Sequence, residues 1–219
     1  MKTKKKIAVV LSGCGSRDGS EIHEAVLTLY AIAKNGADYH LFAPDVPQHN
    51  VINHITGKEM EQSRNVYIES ARIARGEIKR LIEFDAKDFD ALIFPGGFGV
   101  AKNLSSWAFD GPDAYINEEV KKCILDMAAA KKPMGALCIA PVLFALVLDK
   151  VNLTIGNDPE TIEGLKKTGA INHEKTHGEI FVDKKYKLVT TPCYMLDATI
   201  AQIGDGAEAV VRKVLELVV

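Results

Sequence analysis

Short apolar runs alternate with amphipathic stretches along most of this chain, and the alternation predicts strands followed by helices. Residues 7–11 are apolar at every position, which is typical of a strand covered on both faces. The same pattern recurs at residues 91–94 and in the stretch that begins at Met134. Strands that alternate with helices favour a parallel sheet packed between helical layers. The fold class predicted from the residues is therefore α/β.

The amphipathic stretches predict helices with recognisable caps and stops. Ser63 is the predicted N-cap of the second helix. Gly204 and Gly206 are predicted to bend or break the last one, because glycine is a poor helix former. The first helix is predicted to bury a face made of Ile22, Val26, Leu29 and Ala33. The predicted helices cover residues 20–35, 64–75, 117–130, 141–148, 158–168 and 197–218.

Two stretches depart from this alternation. Residues 179–190 alternate apolar and polar positions on both sides of a charged turn, which predicts a late β-hairpin. Residues 47–62 are polar and lack a clear period, so they are predicted to form an irregular excursion. No repeat, linker or low-complexity run divides the chain. Residues 1–219 are therefore expected to form a single domain.

Charge and composition narrow the classes of function. The net charge of -2 gives no reason to expect nucleic acid or an anionic membrane surface as a partner. No apolar run approaches membrane-spanning length, and the first run, of about five residues, is too short for a signal peptide. The four cysteines show neither metal-ligand spacing nor a CxxC pattern, so no metal is expected and a reducing compartment is favoured. A cytoplasmic location is predicted.

Cys138 stands where a short apolar strand passes into an apolar helix that has Pro141 in its first turn. A side chain at such a corner points out from the carboxyl edge of the sheet, above the free N–H groups of the helix. Those groups would stabilise a thiolate, so the pKa of the thiol is predicted to fall below its ordinary value of about 8.5. The alternative is a buried, unreactive cysteine, which is common in protein cores.

Three loops are predicted to meet at this edge, because ligands of such sheets bind outside the carboxyl ends of the strands. Glu21 and Glu24 begin the helix after the first loop and should reach the same edge. Asp18 and Glu21 have capping-box spacing, which gives Glu21 a structural role. Glu24 lacks that role, and partial burial is predicted to raise its pKa, which suits a proton shuttle. The alternative is an exposed glutamate. The loops lie at residues 12–20, at residues 95–105 and at Cys138.

Backbone donors are also predicted at this edge. Gly97 follows another glycine, and the pair allows close approach of backbone to a ligand. The N–H group of Gly97 or Phe98, together with that of Ile139, could hold a developing oxyanion. A plain tight turn is the alternative. Among the six histidines, only His23 is tied to this edge by its position. The first loop lacks the glycine spacing of a dinucleotide motif, and no cofactor is expected.

Taken together, these motifs resemble the ElbB family, whose members are known as isoprenoid biosynthesis glyoxalases or enhancing-lycopene-biosynthesis proteins. The family belongs to the PfpI-like, class I glutamine amidotransferase-like superfamily. The resemblance implies one such domain, a flavodoxin-like three-layer sandwich and a homodimer. It covers nearly the whole chain and rests on residues 12–15, 18–25, 63–66, 71–76, 94–99, 101–105, 138–141 and 189–192.

The resemblance also implies roles for individual residues. Cys138 would be the nucleophile at a strained elbow and Glu24 its acidic partner, with oxyanion donors at Gly97, Phe98 and Ile139. Two departures from the superfamily matter. PfpI-type proteases carry histidine where this chain has Ile139, and glutamine amidotransferases carry a late His-x-Glu where residues 191–195 hold no histidine. Peptidase and ammonia-releasing activities are therefore not expected.

The resulting hypothesis is a cofactor-free, glutathione-independent glyoxalase, classed as a lyase of the hydro-lyase type. Its substrate would be a small dicarbonyl, glyoxal or a similar α-oxoaldehyde, and its product from glyoxal would be glycolate. The same chemistry could be observed as deglycase activity, and the link to isoprenoid biosynthesis comes from the resemblance alone. The rival hypothesis is a non-enzymatic redox sensor or partner-binding protein, in which Cys14 could serve as a resolving thiol.

Overall fold

A seven-stranded sheet forms the centre of the protein, in a computed structural model that describes residues 4–218. Eleven strands lie within those residues: β1 (Lys6–Val10), β2 (Asp38–Ala43), β3 (Val51–Ile52), β4 (Glu59–Met60), β5 (Ile78–Arg80), β6 (Ala91–Phe94), β7 (Met134–Leu137), β8 (Asn152–Leu153), β9 (Ile171–Asn172), β10 (Phe181–Asp183) and β11 (Leu188–Thr191). The central order is β10-β11-β7-β6-β1-β2-β5, and only β10 and β11 pair antiparallel. The predicted parallel sheet and the late β-hairpin are confirmed.

Seven α-helices of the described chain flank the sheet. They are α1 (Ile22–Lys34), α2 (Val66–Ala74), α3 (Trp107–Asp110), α4 (Glu118–Ala129), α5 (Pro141–Val147), α6 (Pro159–Thr168) and α7 (Ile200–Leu217). Along β1, Ile7 and Val9 join the core that α1 and α7 cover, whereas Ala8 and Val10 join the core beneath α4 and α5. This alternation of side chains produces the three layers and confirms the α/β sandwich. Between residues 4 and 218, no helix has the length and apolarity needed to cross a bilayer.

The buried face of α1 differs from the predicted one. Ile22 and Val26 are 43% and 48% exposed, while Ala25, Leu29 and Ile32 are buried with Glu24 beside them. The real face is rotated from the predicted one because it includes the buried carboxyl of Glu24, which a pattern of apolar positions does not count. The excursion at residues 47–62 is also more regular than predicted, because β3 and β4 form a short antiparallel pair within it.

Two predictions about helix ends and breaks were wrong. Asn65, not Ser63, caps α2, since its side chain accepts a hydrogen bond from the N–H of Ile68. The last helix is continuous through both of its glycines. A Cβ at Gly206 would lie 3.2 Å from Thr191 Oγ1 and 3.3 Å from a cysteine sulfur, so this glycine serves close packing of α7 on β11.

Candidate active site

Cys138 occupies a strained backbone corner between β7 and α5. Its φ is 58°, a left-handed conformation that is uncommon for a residue with a side chain. The corner is held because the N–H of Cys138 donates to the carbonyl of Thr191, at the end of the neighbouring strand, at 3.0 Å. Pro141 then begins α5, as the sequence predicted. The thiol is 7% exposed and lines a cavity at the carboxyl edge of the sheet.

Glu24 reaches this corner from the first turn of α1 and has no exposed surface. The N–H of Gly96 donates to Glu24 Oε2 at 2.9 Å, and the N–H of Tyr194 donates to Oε1 at 3.2 Å. The carboxyl also lies within hydrogen-bond reach of the Cys138 thiol. Two loops that are distant in sequence therefore fix both of its oxygens.

Gly96 is the residue that allows the carboxyl and the thiol to meet. A Cβ at this position would lie 2.5 Å from Glu24 Oε2 and 3.0 Å from Cys138 Sγ. No side chain can occupy that space without moving one of the two groups. The double glycine is therefore more than a tight turn, since its first member supplies the room in which the pair forms.

Burial controls the protonation of both groups. It raises the pKa of Glu24 from 4.5 to about 8, with a further increase from the charge of Glu21 and opposition from the N–H groups of Tyr194 and Gly96. The raised pKa predicted for Glu24 is thus found. Burial also raises the pKa of Cys138 well above its ordinary value, as does the charge of Glu24. The predicted lowering of that pKa was wrong, because desolvation outweighs the nearby N–H donors. Both shifts favour the protonated forms of the pair.

Two of the three predicted oxyanion donors face the thiol. The N–H groups of Gly97 and Ile139 are directed at Cys138 and oppose the rise in its pKa. Gly97 does so with a φ of 103°, which favours glycine. The N–H of Phe98 instead donates to the carbonyl of Ser16 at 2.9 Å, so it is already engaged. The ring of Phe98 lines the cavity, which gives this residue a place in the site other than the predicted one.

Glu21 and His23 flank the pair from α1. Glu21 is the N-cap itself, and its carboxylate accepts from the N–H of Glu24 at 2.7 Å. The predicted capping box with Asp18 was wrong, because Asp18 accepts from the N–H of Ile52 instead. His23 is exposed, and its Nδ1 shares a 2.8 Å hydrogen bond with the hydroxyl of Tyr194.

Cys14 and Cys193 have different surroundings. The charges that affect Cys14 are those of Glu69, Arg72, Asp18 and Arg64, and this cysteine is not among the described residues that line the cavity. Cys193, which follows β11, is the thiol whose pKa responds to Cys138 and Glu24. The loop that holds Cys193 could have been placed at the site from the sequence, because it follows β11, a strand that runs parallel to β7 and ends at the same edge.

The cavity over Cys138 has a volume of about 910 Å³ and extends across α3 and the first turns of α6. No histidine occurs among the described residues that line it. In the same described part of the chain, no group of three or more His, Cys, Asp and Glu side chains is arranged to hold a metal ion. The chemistry available is that of an enclosed thiol, a carboxyl with a pKa near neutral and two backbone donors.

Several known proteins are similar to this chain over nearly its whole length. The ES1 protein homolog, mitochondrial, of Rattus norvegicus is 48% identical over 226 residues, which cover 99% of this chain and 85% of the relative. Glutamine amidotransferase-like class 1 domain-containing protein 3, mitochondrial, of Homo sapiens is 49% identical, with 97% and 83% covered. The ES1 protein, mitochondrial, of Danio rerio is 36% identical, with 96% and 85% covered. No family model matches the chain.

Solved structures are also similar to this chain over nearly its whole length. An isoprenoid biosynthesis protein with an amidotransferase-like domain from Ehrlichia chaffeensis superposes with a TM-score of 0.91 at 33% identity, covering 97% of this chain and 99% of that one. A ThiJ/PfpI domain protein from Brachyspira murdochii superposes at 0.61 with 17% identity, covering 98% of both chains. Drosophila melanogaster DJ-1beta superposes at 0.57 with 15% identity, covering 98% and 96%. The last two are similar in fold alone.

The relatives correct one prediction made from the sequence. All three carry names that place them in mitochondria, which contradicts the predicted cytoplasmic location. That prediction rested on free cysteines and on the short first apolar run. Neither feature distinguishes the cytosol from another reducing compartment.

Proposed function

This chain belongs to the ES1 family of glutamine amidotransferase-like class 1 proteins, and from that premise we propose that it is a cofactor-independent glyoxalase. The substrate class is an α-oxoaldehyde and the product is the corresponding hydroxy acid. The feature that carries the proposal is the placement of the Cys138 thiol and the buried Glu24 carboxyl on either side of Gly96, with two N–H donors directed at the thiol. A thiol and one carboxyl are sufficient for this internal oxidation and reduction.

The first step is addition of sulfur to the aldehyde. The pair first loses the proton of Glu24, and the ionised carboxyl takes the proton of Cys138 as sulfur forms its bond to the aldehyde carbon. Glu24 then gives this proton to the aldehyde oxygen. The N–H groups of Gly97 and Ile139 stabilise negative charge at this point. The result is a hemithioacetal on Cys138 beside an ionised Glu24.

The second step moves hydrogen between adjacent carbons. Glu24 removes the proton from the carbon that carries sulfur, and the electron pair forms a carbon–carbon double bond while the neighbouring carbonyl oxygen becomes the oxyanion of an enediolate. Glu24 returns the proton to the neighbouring carbon, the hydroxyl proton of the sulfur-bearing carbon moves to the neighbouring oxygen, and a thioester of the hydroxy acid results. Water then cleaves the carbon–sulfur bond and restores the thiol. Glyoxal and one water give glycolic acid, with one carbon oxidised and the other reduced.

The relatives give this proposal partial support. The Ehrlichia chaffeensis protein is named as an isoprenoid biosynthesis protein, which agrees with the ElbB resemblance in the sequence. The ElbB assignment and a role connected with isoprenoid synthesis are part of the proposal. Redox sensing is the weaker alternative, because peroxide oxidises exposed thiols of low pKa, whereas Cys138 is buried and its pKa is raised.

The test is glycolate formation from glyoxal by the wild type, Cys138→Ser and Glu24→Gln. We expect the cysteine variant to lose all turnover and the glutamate variant to lose at least about a hundredfold, as general acid–base catalysts typically contribute. Cys14→Ser is the matched thiol control and should match the wild type. Turnover that persists in Cys138→Ser would refute the proposal. A peroxide-induced disulfide at Cys138 in an inactive wild type would favour the sensor.

A further inference from the structure

The cavity over Cys138 is far larger than glyoxal requires. Its volume of about 910 Å³ lies in the range of sites that hold drug-sized ligands, whereas glyoxal is a pair of carbonyl groups with no substituent. Cys138 shares the lining of this space with residues of α3 and α6. A substrate whose aldehyde meets Cys138 would therefore leave most of the cavity for its substituent.

Aromatic and apolar side chains form much of the wall. Trp107, Ile139 and Met195 line the cavity, and Phe98 and Phe109 stand at it with 56% and 55% of their surface exposed. Exposed aromatic rings beside a concave apolar surface are typical of a ligand site. Gly164 on α6 makes room for the tryptophan, since a Cβ there would lie 3.1 Å from the indole Cζ2.

The charged residues at this cavity are mostly of one sign. Lys167 is the one cation among the described residues that line it, against five carboxylates: Glu21, Asp110, Asp158, Glu160 and Glu163. Glu21 and Asp158 also act as helix N-caps. Clefts lined by one sign of charge repel ligands of that sign and attract ligands of the other. An anionic substituent is therefore disfavoured here.

We propose that the substrate is an α-oxoaldehyde whose ketone carbon carries a bulky apolar, aromatic-sized substituent without negative charge. This inference rests on the proposed function and specifies its substrate. The aldehyde carbon bonds to Cys138, as described above, and the substituent lies against Phe98, Phe109 and Trp107. One water and the oxoaldehyde give the substituted hydroxy acid.

The experiment compares glyoxal with phenylglyoxal and with phenylglyoxals that carry a 4-carboxylate or a 4-trimethylammonium group. Each value of kcat/KM is divided by the rate of the same reagent with free cysteine. We expect the neutral and cationic aromatic substrates to exceed glyoxal by at least about tenfold, and the carboxylate to fall at least about tenfold below them. Equal values for glyoxal and phenylglyoxal, or a carboxylate as fast as the neutral compound, would overturn the inference.

A second set of measurements needs no catalysis. Alkylation of Cys138 by phenacyl bromide and by its 4-carboxy and 4-trimethylammonio derivatives, relative to iodoacetamide, should follow the same order. Asp110→Asn combined with Glu160→Gln should raise the relative rate of the carboxylate, whereas Glu77→Gln, on an exposed residue that does not line the cavity, should not. Selective alkylation without dicarbonyl turnover would refute the glyoxalase proposal alone. Alkylation without selectivity would refute the cavity inference alone.

Discussion

Glu24 and Cys138 meet across the position where Gly96 has no side chain. The carboxyl is fully buried and the thiol nearly so; Glu24 raises the pKa of Cys138, whereas the hydrogen bond from the thiol lowers the pKa of Glu24. Such a pair loses its protons in two macroscopic steps that belong to both groups. Its behaviour with pH is therefore the most direct measure of the site.

Dicarbonyl turnover should rise with pH through about 8, the pKa of Glu24 in the folded protein. The reason is that the reactive form of the pair has lost one proton and the resting form has lost none. Values of kcat/KM for glyoxal between pH 6 and 9.5, and the alkylation rate of Cys138 by iodoacetamide over the same range, measure this. A plateau that begins below pH 7 would show a thiolate of low pKa and would contradict the assignment.

Glu24→Gln should remove a decline in stability with pH. A carboxyl whose pKa is 4.5 when unfolded and about 8 when folded keeps its proton preferentially in the folded state. The contribution of Glu24 to the free energy of unfolding is thus fully present below pH 4.5, and on the order of 5 kcal/mol of it is lost as pH rises to about 8. Urea unfolding at several pH values tests this. The glutamine variant loses an acceptor for one backbone N–H, so its slope with pH is diagnostic; Glu77→Gln should retain the wild-type slope.

Gly96→Ala should abolish turnover, because the methyl would separate the carboxyl from the thiol. Overpacking of this kind costs about 1–3 kcal/mol of stability. Gly204→Ala is the matched control, since a Cβ there meets only Leu27 carbons at 3.9 Å or more inside a helix. That variant should keep full turnover and gain about 0.4–1 kcal/mol. Glycolate assays and melting curves measure the two effects. An active Gly96→Ala protein would show that turnover does not need the contact between the Glu24 carboxyl and the Cys138 thiol.

Glu21→Gln should shift the pH profile of turnover downward, because the charge of Glu21 raises the pKa of Glu24. The amide oxygen can still accept from the N–H of Glu24, so the cap is largely retained. Glu21→Ala removes the cap as well and should cost about 0.5–2 kcal/mol. A profile that stays unchanged in Glu21→Gln would mean that burial alone sets the pKa.

Neither ammonia release from glutamine nor peptide cleavage is expected, despite the amidotransferase-like relatives. Both activities need a base beside the nucleophile, and Ile139 stands where a histidine would follow Cys138. The nearest candidate from the sequence, His23, bonds to the hydroxyl of Tyr194. Ammonia released from glutamine by the wild type and absent in Cys138→Ala would show that this histidine, or another, reaches the thiol.

The sequence located the two central residues because each carries a local pattern. Cys138 lies between an apolar strand and a helix with proline in its first turn, and Glu24 lies one turn into a helix that follows a loop. Tyr194 could not be found in this way, because it holds Glu24 through its backbone N–H, and a backbone donor leaves no signal in residue type. The engagement of the Phe98 N–H by Ser16 was hidden for the same reason.

The pKa of Cys138 was misjudged for a different reason. Helix N–H groups are local and can be inferred from the chain, whereas burial depends on every segment that closes over the residue. At Cys138 these segments include α1, the Gly96 loop and the loop after β11. The continuous α7 is a similar case, because the packing of Gly206 against β11 compensates for a residue that is unfavourable in an isolated helix.

Cys138 and Glu24 each have a hydrogen-bond partner in β11 or in the loop that follows it: Cys138 donates to Thr191, and Glu24 accepts from Tyr194. Glu24 and Tyr194 are 170 positions apart in the sequence. During synthesis the thiol is made well before the segment that encloses it. Because closing the chain between such distant segments costs conformational entropy, we expect these contacts to form late in folding. The rate at which Cys138 becomes protected from a thiol reagent during refolding would consequently report when the sheet is completed.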